Sequence, residues 1–287
     1  MTARHVTHGQ EGLVTRFAPS PTGRLHLGHA YAALQAHDRA AAAGGHFLLR
    51  IEDIDGTRSR PEHVAGIIED LRWLGLDWGG DILFQSARLA AYQAALDTLQ
   101  AQGLLYRCYC TRAEIAHLSA PHGPGAVYPG TCRHAAPRDD LPHAWRIDMA
   151  RAVALAGPLD WHDELAGVQR ADPLAAGDVV LARKDAPASY HLAVVVDDAF
   201  QRVTHIVRGR DLFEATHVHR LLQQLLGLPT PIYRHHPLLR GADGARLAKR
   251  TGAPSLASLR DAGMDGRVLA DDLRAGRLPI GFTLPNA

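Results

Sequence analysis

Residues 13–43 restrict the fold to one kind of element pair. An apolar run, Leu13 to Phe17, reads as a buried strand, Pro19, Pro21 and Gly23 make a turn, and an alanine-rich stretch, Ala30 to Ala43, reads as a helix. A strand that enters a helix through a short turn offers unpaired backbone N–H groups and the positive end of a helix dipole, which suits phosphate. His26 and His29 sit at that junction on either side of Gly28, so two imidazole donors stand beside backbone that a nucleotide can approach closely. Arg16 and Ser20 add a cation and a hydroxyl on the incoming side. Such residues belong where a triphosphate meets a carboxylate.

Downstream, strands and helices alternate. Phe47 to Ile51 reads as a second buried strand, with Glu52-Asp53-Ile54-Asp55 at its C-terminal end, where open α/β sheets bind ligands. Thr57 or Ser59 is expected to cap a helix with Pro61 in its first turn and Val64, Ile67, Ile68 and Leu71 on one face. Ser86 is expected to cap another helix, Ala87 to Gln102, closed by Gly103, with Trp73, Leu74, Leu76 and Trp78 as packing between the two. This alternation predicts a doubly wound parallel sheet. A less helical region follows, with short strands at Ala144 to Asp148, Leu159 to Asp163 and Gly167 to Arg170. The pattern resumes with a strand at Val179 to Lys184, a turn at Asp197-Asp198 and a strand at Val203 to Arg208. A helix at Ala215 to Leu226, a strand at Pro231 to Leu239 and helical stretches near Leu256 to Arg260 and Val268 to Leu273 complete the chain.

The 287 residues suffice for one large or two modest domains, and 46% hydrophobic with 21% charged residues excludes disorder as the default. A net charge of +1 means that any nucleic-acid contact uses a local basic surface. The N-terminus lacks the apolar core of a signal peptide and no apolar run is long enough to span a bilayer, so a cytoplasmic protein without membrane contact is expected. Cys108, Cys110 and Cys132 lie close in sequence, which in that compartment points to metal before disulfide. Three thiolates and one further donor close a tetrahedral zinc site; His117, His122, His134 and Tyr128 all compete to be the fourth.

The run from Arg16 to His29, opening R-F-A-P-S-P-T-G and closing H-L-G-H, resembles the first signature of class I aminoacyl-tRNA synthetases, in their glutamyl branch. The phrases R-I-E-D-I-D at 50–55, Y-H-L-A-V-V-V-D-D at 190–198 and I-V-R-G-R-D-L at 206–212 resemble the same branch. The resemblance implies that Arg16, Phe17, Ala18, Pro19, Ser20, Glu52, Tyr190 and Arg208 bind L-glutamate, with Glu52 facing its ammonium and Arg208 holding a carboxylate. It implies that His26, Gly28 and His29 bind ATP, accompanied by Mg2+ to which no residue can be assigned. The second class I signature is altered to Arg246-Leu247-Ala248-Lys249-Arg250, leaving Lys249 as the third catalytic residue beside His26 and His29. The pattern C-x-C…Y-x-x-x-C implies a structural zinc on Cys108, Cys110, Tyr128 and Cys132, although the spacer around Pro121 to Gly125 is longer than the family's.

The fold implied is a Rossmann-like class I synthetase catalytic domain with an inserted zinc-binding, β-rich module. Its expected parts are 12–107 and 179–250 for the two catalytic halves, 108–178 for the insert and 251–287 for a helical tail. With the short segment that follows Lys249, no anticodon-binding domain is expected, and in this the chain resembles the truncated paralogues of glutamyl-tRNA synthetase. Their acceptor is the queuosine base in the anticodon loop of tRNA(Asp), and a monomer is expected. A minimal glutamyl-tRNA synthetase charging a tRNA 3′ end, a small-molecule nucleotidyltransferase and a non-catalytic tRNA-binding relic are the rival readings.

Overall fold

The computed structural model describes residues 12–111, 113–115, 127–184, 186–241, 254–278 and 282–284. In the first half, β1 (Val14–Phe17), α1 (Leu27–Ala41), β2 (His46–Ile51), α2 (Pro61–Trp73), β3 (Leu83–Phe84), α3 (Leu89–Ala101) and β4 (Leu105–Cys108) follow one another. Next come β5 (Ala144–Ile147), α4 (Met149–Ala156), β6 (Asp160–Asp163), β7 (Gly167–Arg170) and β8 (Val180–Ala182). The chain then runs through α5 (Tyr190–Phe200), β9 (His205–Gly209), α6 (Ala215–Leu225), β10 (Ile232–His236) and β11 (Arg240–Gly241). It closes with α7 (Leu256–Asp261), α8 (Gly266–Arg274) and β12 (Phe282–Thr283).

Strands β1, β2 and β3 pair in parallel, as do β9, β10 and β6. Thr204 joins the two sets: its N–H donates to the Val14 carbonyl (3.0 Å), its Oγ1 accepts from the Val14 N–H (2.8 Å), and its own carbonyl accepts from Ile232. That stitch sets β9 beside β1, so the C-terminal ends of β1, β2, β9 and β10 face one crevice. Apolar residues of α1 (Leu27, Ala30, Leu34), β2 (Leu49, Ile51), α2 (Ile67, Leu71) and α8 (Leu269, Leu273) form one core; Tyr92, Leu96, Leu192, Val195, Leu221 and Leu222 of α3, α5 and α6 form another. Strands β4, β5 and β8 make a separate antiparallel sheet.

Several local expectations fail for identifiable reasons. Asp197 and Asp198 are not a turn but buried residues of α5, where side-chain partners replace the water a turn would supply. Neither Thr57 nor Ser59 caps α2: Arg60 occupies the position, and Thr57 turns back to Asp55. Ser86 does not cap α3 either, because its Oγ donates to Asp53 (2.6 Å) and a 3-10 turn, Gln85–Arg88, precedes the helix. Helix α4, unanticipated, is capped by Asp148, whose side chain accepts from the Arg151 N–H. The hairpin β6–β7 does not stand apart with β5: it continues the β9–β10 sheet, with Tyr233 beside Asp163. The altered lysine loop, Lys249 included, lies outside the described residues.

Candidate active site and metal centre

The start of α1 is built from the two histidines. His26 is its N-cap; its Nδ1 accepts from the Gly28 N–H (3.1 Å), while His29 Nδ1 accepts from the His26 N–H (3.2 Å). This is a capping box made of imidazoles in place of the usual hydroxyl and carboxylate. Since each Nδ1 spends its lone pair on a backbone N–H, each neutral ring carries its proton on Nε2 and presents a donor there. The ring centroids are 3.9 Å apart. Both line a cavity of about 430 Å³ with Ser20, Gly28, Gly209, Asp211 and His236. A Cβ at Gly209 would come within 2.6 Å of the Asp211 and Leu238 side-chain ends, so either side chain would have to move out of the cavity wall.

Beside this cavity lies a charged cluster. The Glu52 N–H donates to the Pro19 carbonyl (3.1 Å), which ties the end of β2 to the turn after β1. Burial pushes the half-buried Glu52 carboxyl up to about 7, against the opposing pull of Arg50 and Arg16. Arg16 is itself buried and grips Asp198 through Nε (2.9 Å) and Nη2 (3.4 Å). Arg50 reaches the same carboxylate, and although burial alone would raise Asp198, the two arginines hold it below the ordinary range. Phe17 is buried behind Arg16, and Ala18 leads into the turn.

Arg208, at the end of β9, is likewise buried, but its acceptors are all uncharged. Nε donates to His235 Nε2 (3.0 Å), Nη1 to Tyr190 Oη and His219 Nδ1 (both 3.2 Å), and Nη2 to Thr216 Oγ1 (2.7 Å) and the Leu212 carbonyl (3.2 Å). Among the described residues no carboxylate pairs with it. Burial lowers His235 and His191 to about 4 and His219 well below its usual value, with Arg208 adding to each shift, so the imidazoles around it are neutral. Its hydrogen bonds are satisfied; its charge is not. The structure thus brings together Arg16, Glu52, Tyr190 and Arg208: the charges of the other three all act on the Tyr190 hydroxyl.

Sequence reasoning missed the partners of these residues: Arg50, Asp198, Thr216, His219 and His235. One signal was available. Arg50 interrupts an otherwise apolar strand with a charge, and a charge in a strand covered on both faces needs a buried counter-ion.

The three thiols of Cys108, Cys110 and Cys132 lie within 4.8 Å of one another, with Cys110 and Cys132 Sγ 3.5 Å apart. Tetrahedral zinc with sulfur at about 2.3 Å needs sulfurs about 3.8 Å apart. Tyr128 joins them, its Oη 3.5 Å from Cys110 Sγ and accepting from the Cys132 N–H at 2.9 Å. The Arg146 guanidinium lies 3.9 Å over the Tyr128 ring, while burial and the neighbouring thiols push the Tyr128 hydroxyl up from its ordinary value. No histidine belongs to this group among the described residues, and His134 is not in it; His117 and His122 lie outside those residues.

A family model, tRNA synthetases class I (E and Q), catalytic domain, matches residues 12–273. The chain belongs to that family. Within it, glutamyl-Q tRNA(Asp) synthetase of Rhodobacter capsulatus is 51% identical over 266 residues, 88% of this chain and 96% of the relative. The protein of the same name from Symbiobacterium thermophilum is 49% identical over 88% of this chain and 82% of its own length. A glutamate tRNA ligase of Elizabethkingia meningosepticum, crystallised with its amino acid, superposes with a TM-score of 0.76 at 25% identity. That match covers 92% of this synthetase but 60% of the ligase, so the chain spans well under two thirds of the larger enzyme. The chain is a class I aminoacyl-tRNA synthetase-like ligase of the glutamyl-Q tRNA(Asp) branch. Among the described residues no helix is long and apolar enough to cross a membrane.

Proposed function

We propose that this synthetase activates L-glutamate with ATP and transfers the glutamyl group to the queuosine base of tRNA(Asp). The observation that carries the reading is Arg208, a buried cation whose acceptors are all uncharged, next in the chain to Gly209 of the cavity that His26 and His29 line. A substrate carboxylate supplies the missing counter-charge, and Tyr190 and Arg16 complete its surroundings. Glu52 meets the substrate ammonium. The second carboxylate of glutamate is what a neutral glutamine lacks, and an uncompensated guanidinium discriminates between them by charge.

In the first step a glutamate α-carboxylate oxygen attacks the α-phosphorus of ATP. The bond from that phosphorus to the bridging oxygen breaks, and pyrophosphate leaves with its electron pair. His26 and His29 donate Nε2–H to phosphate oxygens on which negative charge grows, with Lys249 as a further cation, so rate comes from positioning and fixed electrostatics. In the second step a nucleophile of the acceptor attacks the activated carbonyl and AMP departs. Magnesium neutralises the phosphates when bound. Cys108, Cys110, Cys132 and Tyr128 would hold a structural zinc that supplies cross-linking and no reactive group.

The names of the relatives support tRNA(Asp) as acceptor. The test is transfer of labelled glutamate, with ATP, to tRNA(Asp) with and without queuosine. Label confined to queuosine-bearing tRNA, and surviving removal of the 3′ end, is expected. Label on the 3′ end of tRNA(Glu) makes the protein a minimal glutamyl-tRNA synthetase, and no adenylate at all makes it a binding relic.

A further inference from the structure

Arg208 meets two imidazoles, those of His235 and His219, where a carboxylate would be the ordinary partner. A contacting carboxylate would neutralise the guanidinium and repel an incoming one; a neutral imidazole accepts the same hydrogen bond without that repulsion. An imidazole serves only if the correct nitrogen holds the lone pair. His235 Nε2 accepts from Arg208 Nε, so its proton must sit on Nδ1, and Nδ1 lies 2.7 Å from Asp163 Oδ2. Both side chains are 1% exposed.

Asp163 is itself fixed. Its Oδ1 accepts from the N–H groups of Leu165 and Ala166 (2.9 Å each), and Oδ2 accepts from the His235 N–H (3.0 Å) besides the ring. Burial would raise this carboxyl, but the His235 ring and the two backbone donors outweigh it and keep it ionised. Asp163 comes from β6 and His235 from β10, which pair at this point. From these contacts we infer that Asp163 is a positioning residue for amino-acid binding: it sets the His235 tautomer and thereby keeps Arg208 aimed and uncompensated for a substrate carboxylate. The anion stands one ring away from the guanidinium, close enough to fix the imidazole's proton without pairing the arginine. Thr216 completes the arrangement, its Oγ1 accepting from Arg208 Nη2 and lying 3.2 Å from His235 Nε2. The inference rests on the reading of Arg208 as the carboxylate-binding residue.

The discriminating variant is Asp163→Asn. Because the Leu165 and Ala166 N–H groups claim the amide oxygen, its NH2 falls where Oδ2 was, opposite His235 Nδ1, and the His235 backbone N–H loses its acceptor. The ring then has to accept there and move its proton to Nε2, so an N–H faces the Arg208 N–H. In glutamate-dependent ATP–pyrophosphate exchange, the KM for glutamate is expected to rise about tenfold or more, the size of losing a hydrogen bond to a charged group. The KM for ATP and kcat should stay within about threefold. His235→Gln, which retains an acceptor, should lose less affinity than His235→Leu. Nitrogen-detected NMR of the histidine-labelled wild type should show His235 protonated on Nδ1. An unchanged KM for glutamate in folded Asp163→Asn, or a wild-type ring protonated on Nε2, overturns the inference. Should Asp163→Asn not fold, the tautomer and the His235 pair still decide it. Wild-type protein lacking glutamate-dependent exchange would instead refute the activity reading, and that result is separate from the tautomer.

Discussion

Replacing Asp198 with alanine tests how the two halves of the synthetase are held together. The carboxylate is buried in α5 and neutralises Arg16 of β1 and Arg50 of β2, both 5% exposed or less. Arg50 has its Nε on Gln201 (2.8 Å), while its Nη1 is buried without a partner. Removing the anion therefore strands two desolvated cations. Breaking one buried pair by deleting a single partner costs roughly 3–5 kcal/mol, and the arginines cannot both reach water, so a loss of about 4 kcal/mol is a lower figure. At a urea slope of roughly 3 kcal/mol per M, the midpoint should fall by more than about 1 M. Asp198→Asn should lie between, since it keeps an acceptor and loses the charge. The same pairing predicts acid sensitivity. A carboxyl held below its unfolded value contributes stability that is complete above the unfolded pKa, about 3.9, and that is lost as pH falls through the folded one. The wild type should weaken below about pH 4, and Asp198→Asn should weaken less steeply. A midpoint shift under about 0.3 M for Asp198→Ala, with the KM for glutamate unchanged, refutes the reasoning.

Other outcomes follow from the site. His29→Ala removes both a candidate phosphate donor and half of the α1 cap, so adenylate formation should vanish while stability drops by only about 1 kcal/mol; Lys249→Ala should abolish adenylate formation with the fold intact. Glu52, raised to about 7, is protonated in the folded protein below neutrality, so its ionised form, which attracts the substrate ammonium, appears as pH rises. The KM for glutamate should therefore fall between pH 6 and 8, and Glu52→Gln should flatten that profile. The protein purified from zinc-containing medium should hold one zinc per chain by elemental analysis, and Cys110→Ser should lose most of it without losing α1 or the parallel sheet.

Much of the site is legible where local sequence determines local geometry. The run from Leu13 to the end of the first helix dictates a strand, a turn and a helix start, and the structure places His26 and His29 there as read. Glu52 at the end of a strand and Arg208 at the end of another are legible in the same way. The sequence is opaque where a side chain's meaning depends on distant partners. Asp197-Asp198 looks like a polar turn because two adjacent carboxylates are normally solvated; Arg16, Arg50 and Arg88, with Gln85 and Tyr92, all drawn from more than a hundred positions away, make them tolerable inside a helix. Ser59 and Ser86 fit capping chemistry but are not used for it. The arginine-facing histidines carry no local pattern: the distance from Asp163 to His235 exists only after β6 and β10 pair.

That pairing also limits how the chain can be shortened. A deletion designed from the expected insert, 108–178, would remove β6, and with it Asp163 and the Glu164 N–H that binds the Tyr233 carbonyl. The outer edge of the β9–β10 sheet would then be bare, and Arg208 would be left without the anion behind its imidazole. A cut confined to the segment between Cys108 and Ala144, which face each other across β4 and β5, spares that sheet. Remodelling there leaves every strand of the two parallel sets in place, along with the Asp163–His235–Arg208 contacts.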